Sequence, residues 1–168
     1  MSNNDAGGRL LEYLPTTSDI PHVNKERAAV EPGTVRILVA DDHEVMRMGI
    51  RNLLESVPSW LVSAEARNGH EAVQAALELE PDIIIMDITM PEMNGLEAAA
   101  RIAAERPDIP VIMFSLHLSE DVITRFKSGS IRGAVAKSEA ARDLLEAVRC
   151  VLAGGTFFPD KQSSAATE

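Results

Sequence analysis

"PDIIIMDITMP" (residues 81–91) sets four large apolar side chains, Ile83, Ile84, Ile85 and Met86, directly before an aspartate and closes on a proline. The run has no polar alternation, so both faces of the strand it predicts are covered, as in the middle of a parallel sheet. Pro91 cannot continue a ladder of hydrogen bonds, which leaves Asp87 at the carboxyl edge of that strand. An aspartate in such a place also serves as an ordinary turn or capping residue. Only other groups arriving at the same edge distinguish a site from a turn.

Outward from this strand the chain alternates between two periodicities. "VRILVA" (35–40) predicts a strand, and Met46, Ile50, Leu53, Leu54 and Val57 then fall at helical spacing. "WLVSAEA" (60–66) is a second strand, followed by a helix over about 69–79. The opening stretch supplies the third strand (82–87), with a helix over about 95–106. "VIMFS" (111–115) is the fourth, leading to a short helix near 120–128, and "GAVAK" (133–137) is the fifth. Ala141, Leu144, Leu145, Val148, Val151 and Leu152 stripe the last helix. "NGHEA" (68–72) and "NGLEA" (94–98) each place Asn as N-cap and Glu at the third helical position, a variant of the capping box. Five strands, each followed by a helix, predict an α/β, doubly wound, five-stranded parallel sheet with helices on both faces. Ligands in such folds bind beyond the carboxyl ends of the strands, where the strand order reverses.

Composition bounds the rest. At 168 residues, 45% hydrophobic and 25% charged, the chain has the make-up of one globular domain with extensions. Its net charge of −10 argues against a nucleic-acid footprint by this chain alone, because phosphates are met by clustered Lys and Arg. Cys150 is the only cysteine, so no internal disulfide forms and a reducing compartment is expected. No basic-then-apolar leader and no apolar run of about 18 residues is present, so the expected location is cytoplasmic, with no membrane contact. Residues 1–34, with Pro15, Pro21 and Pro32, read as a flexible N-terminal extension, 35–155 as the folded domain and 156–168 as a C-terminal tail. Met46, Met48, Met86, Met90, Met93 and Met113 suggest core filling and loop packing. No GxxxxGK[ST], GxGxxG or GxSxG motif supports a nucleotide-binding or serine-hydrolase activity.

The strand ends carry the chemistry. Strand one delivers Asp41 and Asp42, strand three Asp87, strand four Ser115 and strand five Lys137. Singly, these are a helix cap, a turn hydroxyl and a solvated lysine; together they make a common site. Clustered carboxylates raise one another's pKa or recruit a cation. Oxygen ligands with room for water suit Mg²⁺. A carboxylate beside a metal ion and a lysine can attack phosphorus, and phosphoryl transfer asks little of a protein beyond positioning and charge neutralisation. Asp87 is therefore the candidate acceptor of a phosphoryl group.

The segments "RILVADDHEVMRMGIRNLL", "PDIIIMDITMPEMNGLEAAARI", "PVIMFS" and "GAVAKS" together resemble the receiver domain of bacterial two-component response regulators, over about residues 35–155. "SEAARDLLEAVRCVLAGGTFF" is similar to the last helix of the NarL/FixJ class, whose members usually continue into a DNA-binding helix-turn-helix domain. The resemblance implies a flavodoxin-like fold with strand order 2-1-3-4-5. It implies Asp87 as phosphoacceptor and Asp41, Asp42, Asp87 and the Thr89 carbonyl as the Mg²⁺ site, Asp42 binding directly and Asp41 mainly through water. Ser115 and Lys137 would contact the phosphoryl oxygens. The implied partners are a histidine kinase or phosphotransfer protein, a downstream protein target, and a second copy docking through the fourth helix, fifth strand and fifth helix. The implied protein is not an enzyme in the usual sense, but an acceptor that assists its own phosphorylation and dephosphorylation.

Two positions depart from the pattern. No output domain follows Gly154, so the expectation is a receiver that signals through protein contacts, the alternative being the receiver part of a DNA-binding regulator without its helix-turn-helix domain. Ala134 stands where many receivers carry a Tyr or Phe three residues before the lysine. Haloacid dehalogenase-type phosphatases also use a nucleophilic Asp after an apolar strand, but need a second Asp where this chain has Thr89. His43 is expected at the site rim with no metal role, His117 near the mouth of the site, and Cys150 has no assigned function.

Overall fold

The structure, a computed structural model, describes residues 31–126 and 130–159. In chain order the elements are β1 (Val35–Ala40), α1 (Glu44–Leu54), β2 (Trp60–Ala66), α2 (Gly69–Leu79), β3 (Ile83–Asp87), α3 (Gly95–Glu105), β4 (Val111–Ser115), α4 (Glu120–Phe126), β5 (Ile131–Ala136) and α5 (Ala140–Leu152). A single 3₁₀ turn, Lys137–Glu139, joins β5 to α5. The strands form one sheet in the order β2-β1-β3-β4-β5, every pairing parallel. This is the flavodoxin-like order. The sequential path from β1 to β2 is reversed by the step from β2 across to β3, and the crevice at that reversal lies between the ends of β1 and β3.

The unbroken apolar run in β3 now has its reason. Ile83 and Ile85 pack with Ile50 and Leu54 of α1 and Leu144 and Val148 of α5. Ile84 and Met86 pack on the opposite face with Ala72 and Ala76 of α2, Ala98 and Ile102 of α3 and Phe126 of α4. All four are fully buried, and each such side chain contributes about 1.5–3 kcal/mol relative to exposure. The alanines of α2 and α3 allow these two helices to lie close to the sheet.

The caps form as the two NG phrases predict, with one change. Asn68 Oδ1 accepts from Glu71 N–H at 2.8 Å and Asn94 Oδ1 from Glu97 N–H at 2.9 Å. The return half of the box differs: Glu71 accepts from the Arg67 N–H, while Glu97 pairs with Arg101 one turn along. Other boundaries shift by a residue or two. Val57 falls in the turn after α1, and Lys137 lies just past β5, at the start of the 3₁₀ turn. On α5, Ala141 is exposed and Ala147 takes the buried place expected of it. Met86, Met90, Met93 and Met113 are core residues, whereas Met48 is 54% exposed on the outer side of α1.

The chain beyond α5 turns back to the sheet. Gly154 takes φ of +89°, and Phe157 then pairs in parallel with Gly133 at the outer edge of β5. The Ala134 N–H donates to Phe157 O at 2.8 Å, and the Phe157 N–H to Arg132 O at 2.9 Å. Phe157 packs on the α1/α5 side and Phe158 on the other, so packed structure runs past the boundary expected at 155. Most of the N-terminal extension (1–30) and the end of the tail (160–168) lie outside the described residues. Among the described residues no helix is long and apolar enough to cross a membrane.

Candidate functional site

Asp41 follows the last residue of β1 and is hydrogen-bonded at its N–H, its carbonyl and one carboxylate oxygen. Its N–H donates to Ala66 O at the end of β2 (3.1 Å), and its carbonyl accepts from Arg47 Nη1 (2.7 Å). Its Oδ1 accepts from the His43 N–H at 2.8 Å, which fixes the side chain across the turn into α1. Its Oδ2 lies 2.6 Å from Lys137 Nζ, yet this wholly buried oxygen has no well-directed hydrogen bond. The contact is ionic, and the oxygen has capacity left for another cation. Asp42 points outward, with Oδ1 2.8 Å from His43 Nδ1.

Asp87 ends β3 and is buried among apolar neighbours. Its Oδ2 lies 3.0 Å from Lys137 Nζ and its Oδ1 accepts from the Thr89 N–H at 3.2 Å. Burial raises the Asp87 pKa above the usual carboxylate range, with the Lys137 hydrogen bond and charge only partly offsetting it. For Lys137 burial pulls the other way, but the close contacts and charges of Asp41 and Asp87 outweigh it and hold the pKa above an ordinary lysine's. The ammonium side chain is only 5% exposed, bridges the two aspartates and sits 5.8 Å above the centre of the Phe114 ring. Lys137 is thus a fixed charge rather than a solvated one.

Ser115 ends β4, the strand beside β3, and is buried. Its hydroxyl serves its own loop, donating to His117 O at 3.1 Å and accepting the His117 N–H at 3.3 Å. The His117 side chain is exposed. Thr89 lies in the β3–α3 loop with its N–H on Asp87. The sequence-derived acids and the lysine are therefore brought together, with Ser115 on the neighbouring strand end. Cys150 is half-buried, its Sγ 3.4 Å from Thr156 O, away from this site.

Two residues were undervalued in sequence. His43, expected at the site rim with no metal role, places its Nδ1 2.8 Å from Asp42 and 3.3 Å from Asp41. The signal was its N-cap position, which turns the ring back over the acid pair instead of along the helix. Arg47, beside the apolar stripe of α1, is buried and reaches the Asp41 carbonyl. A basic residue next to an inward stripe was the only hint of it.

Oxygen and nitrogen donors of Asp41, Asp42, His43 and Asp87 all lie within 4.8 Å of one another. Two carboxylates share one ammonium and that of Asp42 stands near them without a contact to it, and the buried Asp41 Oδ2 lacks a directed partner. Hard oxygen donors opening on one side to water fit Mg²⁺, which retains several waters when bound by carboxylates. The donor set is therefore suited to that ion.

Residues 37–149 match the response regulator receiver domain family. The chain belongs to it. This receiver is 33% identical over 132 residues to the transcriptional regulatory protein DegU of Brevibacillus brevis, a match covering 79% of this chain and 56% of the relative. It is 34% identical over 125 residues to the response regulator protein VraR of Staphylococcus aureus, covering 74% and 60%. The chain thus spans less than two thirds of the length of these relatives. Among solved structures it is similar to a LuxR-family two-component response regulator from Aurantimonas sp. SI85-9A1, with a TM-score of 0.71 at 33% identity over 74% of this chain and 89% of that one. The response regulator domain of Thermotoga maritima CheB matches with a TM-score of 0.66 at 33% identity, over 71% and 97%.

Proposed function

We propose that this receiver accepts a phosphoryl group on Asp87 from the phosphohistidine of a histidine kinase or phosphotransfer protein. The observation that carries the reading is the buried Lys137 ammonium, 3.0 Å from Asp87 and 2.6 Å from Asp41, at the open end of the central strand. An Asp87 oxygen attacks phosphorus, the P–N bond breaks, and its electron pair returns to the imidazole of the donor. Lys137 offsets charge on the transferred oxygens and remains tethered by Asp41 while Asp87 reacts. The Ser115 hydroxyl would turn from the His117 carbonyl to donate to one of those oxygens. Mg²⁺, held by Asp41, Asp42, Asp87 and the Thr89 carbonyl, would supply further charge neutralisation. Attack of water on phosphorus, with cleavage of its bond to Asp87, restores the carboxylate, so the same groups assist removal as well as acceptance.

The reading places the chain in the cytoplasm, in keeping with its single free cysteine. Its output would be a phosphorylation-dependent contact made by α4, β5 and α5, with a downstream protein or a second copy. The names and lengths of the relatives favour a second reading of that output. They include a transcriptional regulatory protein of which this chain spans 56%, as it would if it were the receiver part of a DNA-binding regulator. The acceptor role is common to both. The test is incubation with a labelled small phosphodonor, with and without Mg²⁺. Wild type takes label in a Mg²⁺-dependent way and Asp87→Asn takes none; equal labelling of the two would end the assignment.

A further inference from the structure

Arg47 is a charged side chain buried to 96%, since it is 4% exposed, and the chemistry at Asp87 makes no direct use of it. Its guanidinium works in two directions. Nη1 donates to the Asp41 carbonyl at 2.7 Å, and Nε donates to Glu65 Oε2 at 3.3 Å. Glu65 lies on β2, opposite Val39 of β1, and its other oxygen takes Arg51 Nη2 at 2.7 Å. The arginine is therefore fixed to the sheet before it reaches the turn. Its backbone also takes part: the Arg47 N–H donates to the His43 carbonyl at 3.0 Å. One residue thereby ties the carbonyls on either side of Asp42, at Asp41 and at His43. Among the described contacts, the Asp42 carboxylate itself touches only the exposed His43 ring.

We infer that Arg47 is a positioning residue that holds the β1–α1 turn so that the Asp41 and Asp42 carboxylates converge on a divalent cation. The inference rests on the reading of that acid pair as a Mg²⁺ site. Groups behind a metal ligand that fix its orientation typically change affinity by about 10–100-fold when removed. Arg47 acts on the ligand's backbone rather than on its carboxylate, so the lower end applies. A second physical effect has the opposite sign. A guanidinium beside the acid pair repels a cation, so removing its charge alone would strengthen Mg²⁺ binding. Two substitutions separate these effects. Arg47→Lys keeps the charge but cannot reproduce the planar fork that spans Asp41 and Glu65, while Arg47→Met loses both charge and fork at similar volume.

The experiment is calorimetric titration of the full chain with Mg²⁺, together with phosphodonor labelling across a Mg²⁺ series. The expected result is a Kd for Mg²⁺ weakened about tenfold in both variants. Labelling at saturating Mg²⁺ should return to within about twofold of wild type, a split between affinity and rate that mere loss of stability does not produce. Tighter Mg²⁺ binding by Arg47→Met with no change in Arg47→Lys would overturn positioning in favour of charge. Unchanged affinity in both, with only a lowered melting temperature, would reduce Arg47 to a structural role. Should Arg47→Met fail to fold, Arg47→Lys alone decides, because a wild-type Kd in it overturns the inference. A wild-type chain that binds no Mg²⁺ removes the metal reading itself and this inference with it, an outcome distinct from the others.

Discussion

Asp87 can only stand where it does because the first residue of α3 has no side chain. The Gly95 N–H donates to Ile88 O at 2.8 Å, which draws the start of the helix against the end of β3. A Cβ at Gly95 would sit deep inside the Asp87 carbonyl oxygen, 2.9 Å from the Asp87 carbonyl carbon and 3.0 Å from Met86 Cγ. Against an ordinary carbon contact of about 3.5 Å, the carbonyl carbon alone is about 0.6 Å too near. The obstacle is backbone, so no rotamer change relieves it; α3 must back away or the end of β3 must bend. Overpacking of this kind costs about 3 kcal/mol, and the better helix propensity of alanine returns at most about 1 kcal/mol. Gly95→Ala should therefore lose about 2 kcal/mol and, for a chain of this size, melt about 6 °C lower. Gly49→Ala is the matched control. Gly49 lies inside α1 with nothing within 4 Å of a new Cβ, so the same substitution should stabilise by up to about 1 kcal/mol. Urea titration followed by the fluorescence of the single, buried Trp60 measures both. Labelling of Gly95→Ala should also slow, because Asp87 moves relative to Lys137. If Gly95→Ala instead matches Gly49→Ala in sign, the close approach of α3 to β3 is wrong, and with it the idea that this contact holds Asp87.

Asp87→Asn should be more stable than wild type at neutral pH without Mg²⁺, since it removes a carboxylate whose ionisation burial opposes, while Asp41 keeps Lys137 paired. The folded pKa of Asp87 lies above its unfolded value, so wild type loses stability as pH rises through that folded pKa; urea titrations should show the gap opening with rising pH and closing in acid. Ala134 is fully buried on the same core as Phe126 and Phe158, and its N–H is taken by Phe157. Ala134→Tyr should overpack this region by about 2 kcal/mol, and Phe158→Ala should recover part of that loss; additive effects in denaturation would show that the two positions do not share space.

Local chemistry and periodicity along the chain were enough to settle several parts of this protein. The unalternated Ile83–Met86 run required a strand covered on both faces, the spacing of Ile50 and Leu54 fixed the inner side of α1, and the two asparagines fixed where α2 and α3 begin. Asp41, Asp42, Asp87 and Lys137 were legible because each lies at or just past the end of a strand, and parallel strands bring their carboxyl ends to one edge. Other features had no local signature. That Lys137 is a buried bridge rather than a surface charge depends on Asp41, nearly a hundred positions earlier, and on Phe114 beneath it. Arg47 looks like any helical arginine until β2 brings Glu65 against it. Phe157 and Phe158 read as the start of a tail because the strand that Phe157 pairs with is recognised only when α5 has carried the chain back to the edge of β5. Propensity and periodicity are properties of neighbours along the chain. The state of a buried charge and the pairing of a sheet edge are properties of neighbours in space, and only the folded structure supplies those.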